Sequence, residues 1–269
     1  MPRSALSLTR GLIAVAGLPR SGTTLISRML TDHSLVDALM EPYQAGRMKL
    51  YKETSFKNLC RDKNIDPKQD RFVLIKETTT RTENVSLLVK LLKDARSLGD
   101  YTGLIIVLRS PFEAFLSQVH ASSNMWLDKL MTNPSDKHFQ TFAKLAVAGL
   151  AEIVWHARSQ HCRVINYDDF CSDPENELSR LLGLFPLRLE QQQLELSKTA
   201  HRGGDPKAYS GASIEKTDRS AETEELLGNL PDTPLKRKML ELEKISEDAA
   251  SMSTTQTIDQ LAELVIMKQ

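Results

Sequence analysis

Apolar residues along the chain follow two different periods. Gly11-Leu-Ile-Ala-Val-Ala-Gly17, Phe72-Val-Leu-Ile and Gly103-Leu-Ile-Ile-Val-Leu108 are short unbroken runs rich in β-branched residues. They read as strands buried on both faces. Between and after them the spacing changes to three and four. Leu25, Ile26, Met29 and Leu30 mark one helix. Val85, Leu88, Val89, Leu91 and Leu92 mark a second over Glu83–Ser97, and Phe142, Leu145, Ala146, Leu150, Ile153 and Val154 a third over His138–Gln160. Arg163-Val-Ile-Asn-Tyr167-Asp-Asp-Phe170 predicts a fourth strand, and Asp173-Pro174 opens a helix running to Leu184, with Asp173 as its N-cap. Residues 44–64 read as one or two amphipathic helices. From Ser220 the chain is charged and helical, over 235–252 and 258–267. Strands alternating with helical crossovers predict an α/β protein: a three-layer, P-loop-like fold with a central parallel sheet flanked by helices. The expectation is one domain over 1–269, with 220–269 as C-terminal helices that pack on it or on a second subunit, as in a homodimer.

Composition narrows the classes. A chain of 269 residues can bury a full core. Thirty-five basic residues cancel 35 acidic ones, so no overall field draws it to nucleic acid or to an anionic membrane. Cys60, Cys162 and Cys171 are odd in number and widely spaced, which excludes a zinc ribbon and suggests a reducing, cytoplasmic setting. The first ten residues are polar, and the apolar run after them stops at Gly17, short for a signal peptide or a membrane span.

The candidate chemistry sits where strands end. After the first run comes Gly17-Leu-Pro19-Arg20-Ser21-Gly22-Thr23-Thr24, a glycine-bearing turn leading into a helix. Its N–H groups and dipole suit an anion, Thr23 and Thr24 add hydroxyls, and Arg20 adds charge. The Gly17-x4-Gly22 spacing is that of a Walker A loop, but Thr23 stands where that motif needs Lys. A bare strand-to-helix turn is the plain alternative. Two further strands end in cations, Lys76-Glu77-Thr78 and Arg109-Ser-Pro111. In doubly wound sheets such ends face the ligand crevice. Ser117 lies eight residues after Arg109, about two helical turns on. A guanidinium fork with a hydroxyl suits a terminal phosphate. A Walker B strand would end in Asp to hold Mg²⁺. His33 reads as a cap or packing residue, and Trp126 as either core or part of an acceptor pocket within 121–137.

Pro19-Arg20-Ser21-Gly22-Thr23-Thr24-Leu25 resembles the 5′-phosphosulfate loop of sulfotransferases that use 3′-phosphoadenosine 5′-phosphosulfate (PAPS). Arg109 with Ser117 is similar to that family's 3′-phosphate motif, and Val164-Ile-Asn-Tyr167-Asp-Asp-Phe-Cys-Ser-Asp173-Pro to its Tyr-Glu-Asp stretch, whose acids read as structural. The likeness spans residues 11 to about 210. The resemblance implies Arg20, Ser21, Gly22, Thr23 and Thr24 on the 5′-phosphosulfate, and Arg109 and Ser117 on the 3′-phosphate. It implies Lys76 on the leaving oxygen, and it needs no metal. Glu41, 21 residues beyond Arg20 and just before Pro42, aligns with the catalytic glutamate of protein-tyrosine sulfotransferases and bacterial relatives. Glu77, beside Lys76, is the alternative base. Arg202 and Lys207, in the basic, glycine-rich segment 201–207, match a loop that closes over the nucleotide in many members; a plain linker is the other reading.

The implied reaction moves a sulfuryl group from PAPS to a hydroxyl or amine acceptor by in-line displacement, leaving 3′-phosphoadenosine 5′-phosphate (PAP). No motif selects a small molecule, a carbohydrate or a peptide tyrosine as acceptor. A P-loop nucleotide-dependent kinase and a non-catalytic nucleotide-binding relative are the alternatives.

Overall fold

The glycine-bounded run Gly11–Gly17 is the central strand, β1, and every one of its side chains is buried. The computed structural model describes residues 10–41, 55–62, 64, 71–79, 82–124, 136–158, 161–195 and 218–266. The expectations for 44–54, for Trp126 and for 201–207 fall outside them. β1 lies between β3 (Phe72–Thr78) and β4 (Tyr101–Leu108), with β2 (Val36–Met40) and β5 (Cys162–Asn166) at the edges. All pairs are parallel, in the order β2-β3-β1-β4-β5. Strand residues buried on both faces are what a parallel sheet between helical layers requires.

Alternation along the strands sends side chains into two cores. Ile13, Val15, Leu74, Ile105 and Val107 face α1 (Thr23–Thr31), α6 (Tyr167–Ser172) and α7 (Pro174–Leu182). Leu12, Ala14, Val73, Ile75, Leu104 and Ile106 face the opposite layer. That layer holds α2 (Phe56–Asp62), α3 (Thr82–Ser97), α5 (Asp136–Ala157), α9 (Pro234–Asp248) and α10 (Thr254–Ile266). The result is the three-layer, P-loop-like α/β fold. α8 (Ser220–Asn229) and α4 (Pro111–Asn124) complete the described α-helices. No helix among the described residues is long and apolar enough to cross a membrane.

One aromatic cluster anchors the helix after β4. Phe112 and Phe115 on α4 meet Phe139 on α5, stacked at 5.6 Å and edge-on at 5.4 Å between ring centroids. All three rings are fully buried or nearly so, each burial stabilising by about 1.5–3 kcal/mol. They fix the start of α4, and with it the end of β4.

One strand is new to the sequence reading, and one reading is corrected. Val36–Met40 is a strand that the apolar pattern does not announce: it is short, at the sheet edge, and Asp37 interrupts it with an ion pair to Arg71. The strand expected over 163–170 ends at Asn166. The Asn166 Oδ1 accepts from the N–H of Asp168 at 2.7 Å and of Asp169 at 3.3 Å, so Tyr167–Ser172 turns helical instead. Asp173 caps α7 as expected, accepting from Asn176 N–H at 3.2 Å. Asn166 also donates through Nδ2 to the Ser246 carbonyl at 2.6 Å, tying α9 to the sheet. Asn166→Ala removes a cap and a tether together. The expected loss is about 1–3 kcal/mol in urea unfolding with an unchanged m-value; a loss under about 0.5 kcal/mol would contradict both roles.

Candidate functional site

The chain between β1 and α1 is held by short-range bonds. Ser21 N–H and Ser21 Oγ both donate to the Leu18 carbonyl, at 3.2 and 2.8 Å, which closes the turn. Ser21 is fully buried, so its hydroxyl builds the loop from inside. Arg20 and Gly22 both take left-handed backbone angles, with φ of 65° and 90°. For Gly22 this costs little; for Arg20 it is a strained conformation worth on the order of 1–3 kcal/mol. Gly22 has a second reason to be glycine, since a Cβ there would lie 2.0 Å from the Tyr167 ring. Gly17 is equally enclosed: a Cβ would sit 2.6 Å from the Val107 carbonyl. The first turn of α1 begins at Thr23 and Thr24 and carries no acid, leaving its N–H groups and positive dipole end open to an anion.

Glu41 and Lys76 are brought together at the ends of two neighbouring strands. Glu41 N–H donates to the Lys76 carbonyl at 2.8 Å, one step beyond the β2–β3 ladder, and Glu41 turns away with φ of 50°. Its carboxylate meets the Lys76 ammonium in an ion pair through Oε1. Lys76 is nearly buried, while Glu41 keeps about a fifth of its side chain exposed (5% and 21%). Glu77, the other candidate base, follows Lys76 on the strand and points to the opposite face. There it is buried and accepts from Asn84 Nδ2 at 3.4 Å. The structure therefore groups Glu41, not Glu77, with the strand-end ammonium.

Arg109, at the end of β4, lies on the α1 side of the sheet, as Lys76 does. Its Nη1 donates to the Arg20 carbonyl at 3.1 Å, and its guanidinium lies over the Tyr167 ring at 4.7 Å. Arg20 in turn donates through Nε to Ser117 Oγ at 3.2 Å. The two motifs, separate in sequence, are thus hydrogen-bonded to each other: Arg20 touches both members of the second pair. Arg109 Nε and Nη2 also donate to Glu113 Oε2, at 3.2 and 3.0 Å. Burial pushes the Tyr167 phenol up, and the neighbouring Cys171 adds to the shift.

Residues 13–81 match the model of the sulfotransferase family. The matched stretch contains the loop after β1, Glu41 and Lys76; Arg109 and Ser117 lie beyond it. Among solved structures, a sulfotransferase domain from the curacin biosynthetic pathway aligns with a TM-score of 0.52 at 16% identity, over 88% of this chain and 98% of that one. The likeness is one of fold. The sulfotransferase domain of the Synechococcus PCC 7002 olefin synthase aligns at 0.49 and 13% identity, over 100% and 98%. Mouse sulfotransferase SULT7A1 complexed with PAP aligns at 0.49 and 13%, over 93% and 88%. No curated protein resembles the chain closely enough to count as a match.

Three residues of this site escaped sequence reading. Tyr167 looked like part of a strand, yet it floors both Gly22 and Arg109. Ser110-Pro-Phe-Glu113 does carry a helix-start signature, but nothing local says that Glu113 turns toward Arg109. Glu243 comes from α9, far along the chain, and is bonded by Ser110. Arg202 and Lys207 lie outside the described residues. Among those described, no group of three or more His, Cys, Asp or Glu could hold a metal.

Burial pushes the Glu243 carboxyl up to about 7, the Ser110 hydroxyl opposes this, and Glu247, Glu113 and Asp168 nearby raise it further. Between its ordinary value of 4.5 and about 7, the folded protein holds a proton here that the unfolded chain has released. Stability from this group therefore falls as pH rises through that window. Glu243→Gln should melt higher than the parent at pH 8, by roughly a few degrees, with the gap closing toward pH 5. A gap independent of pH would contradict the buried-acid account.

Proposed function

We propose that the chain transfers a sulfuryl group from PAPS to a hydroxyl or amine acceptor, releasing PAP. The observation that carries this reading is the joining of two anion-recognising motifs through Arg20. Its carbonyl meets Arg109 and its guanidinium meets Ser117, at the carboxyl ends of β1 and β4. A single nucleotide with phosphates on both its 5′ and 3′ oxygens has the two anionic ends that such a pair would take. A kinase reading is disfavoured by the same residues, because Thr23 replaces the Walker Lys and β4 ends in Arg109.

The α1 N-terminus, Thr23, Thr24 and Arg20 hold the 5′-phosphosulfate, while Arg109 and Ser117 hold the 3′-phosphate. The acceptor oxygen or nitrogen attacks sulfur as the bond from sulfur to the bridging phosphate oxygen breaks. The acceptor's proton passes to the Glu41 carboxylate, and the electron pair of the broken bond goes to the bridging oxygen, next to the Lys76 ammonium. As in phosphoryl transfer, such a loose displacement needs positioning and charge stabilisation more than covalent help from the protein. Glu41 and Lys76 are already in contact, so proton acceptor and charge stabiliser address one reacting centre.

Thermal melting tests the donor class. PAP at about 100 times its dissociation constant should stabilise by roughly 2.7 kcal/mol, a rise of several degrees. Mg-ATP should give no comparable rise; a shift with Mg-ATP alone would replace this reading with a kinase or ATPase. Glu41→Ala should keep the PAP shift and lose about 10²–10⁴-fold in turnover of PAPS to PAP with a responsive acceptor. Unchanged turnover would remove Glu41 as the base.

A further inference from the structure

Resting on the nucleotide reading above, we infer that Glu113 is a positioning residue that orients Arg109 for the 3′-phosphate, and so sets the preference for nucleotides that carry one. Glu113 is the third residue of α4, and its own N–H donates to Ser110 Oγ at 3.1 Å, so its main chain belongs to the helix cap. Its carboxylate leaves the cap and takes the side-on edge of Arg109, accepting from Nε at 3.2 Å and Nη2 at 3.0 Å. Both side chains are largely buried, at 13% and 8% exposed, so the pair is little screened by solvent.

A guanidinium has five N–H groups in a rigid plane. Glu113 takes two and the Arg20 carbonyl takes one, through Nη1 at 3.1 Å. One face rests on the Tyr167 ring. What remains among the described contacts is one N–H on each terminal nitrogen, the two-pronged arrangement that matches two oxygens of one phosphate. Without Glu113, the plane loses the grip on its side-on edge and is held only by the Arg20 carbonyl and the Tyr167 ring. A carboxylate this close also lowers the local positive charge, so the two effects oppose one another in sign. The fixed plane decides, because three independent contacts hold it and the anion needs both remaining prongs at once.

The test compares two ligands on three proteins by titration calorimetry. PAP carries the 3′-phosphate and adenosine 5′-phosphate lacks it. The parent protein should prefer PAP. Glu113→Gln keeps the shape and the helix start but removes the charge, and Glu113→Ala removes the grip altogether. Both should weaken PAP binding, Glu113→Ala by roughly tenfold, and leave adenosine 5′-phosphate within about twofold. In an Arg109→Met background, Glu113→Gln should no longer change the ratio of the two affinities. Equal losses for both ligands would make Glu113 a general structural residue, and tighter PAP binding would make it a competitor of the phosphate; either result overturns the assignment. Should Glu113→Ala fail to fold, Glu113→Gln alone decides. A parent protein with no preference for PAP overturns the nucleotide reading itself, and this inference with it.

Discussion

A single residue, Arg20, couples the two halves of the site. Its carbonyl accepts from Arg109 and its side chain donates to Ser117, so the loop after β1 and the helix after β4 cannot move independently. Its left-handed backbone is the local cost of making both contacts from one position. Packing supports that geometry from two sides. The Tyr167 ring sits beneath Gly22 and Arg109, and the Phe112–Phe139 stack fixes the start of α4. A larger side chain at Gly22 would displace the ring that supports the arginine.

The sheet explains why these side chains meet at all. Parallel strands end on the same edge, and the helices that follow β1 and β4 begin there. Lys76 and Arg109 lie on the α1 face because each keeps the parity of the strand residues that pack on that side, whereas Glu77 is out of phase and buried in the other layer. Which of two adjacent acids reaches the strand-end ammonium is thus decided by the two-residue repeat of the strand. The ammonium then meets an acid from a neighbouring strand, not its own.

Much of this was legible in the residues themselves. The three central strands announce themselves as unbroken apolar runs because both their faces are buried, and the tight loop after β1 announces itself through Gly17 and Gly22. The losses are of two kinds. β2 is a short edge strand whose pairing to β3 is a long-range event, so no local pattern marks it. Tyr167 and Phe170 favour a strand by composition, but Asn166 offers its side chain to the next N–H groups, and that cap wins. Glu113 and Glu243 were hidden for a different reason: an acid's role depends on which cation or hydroxyl faces it, and that is a property of the folded chain.

The joining of two anion sites for one ligand is tested most directly by ³¹P NMR of PAP added to the protein. Both phosphorus resonances should shift on binding. Arg109→Met should return the 3′ resonance toward its free position while the 5′ resonance stays displaced. Movement of the 5′ resonance alone in the parent protein, or equal loss of both shifts in the variant, would contradict a site built from two distinct phosphate motifs.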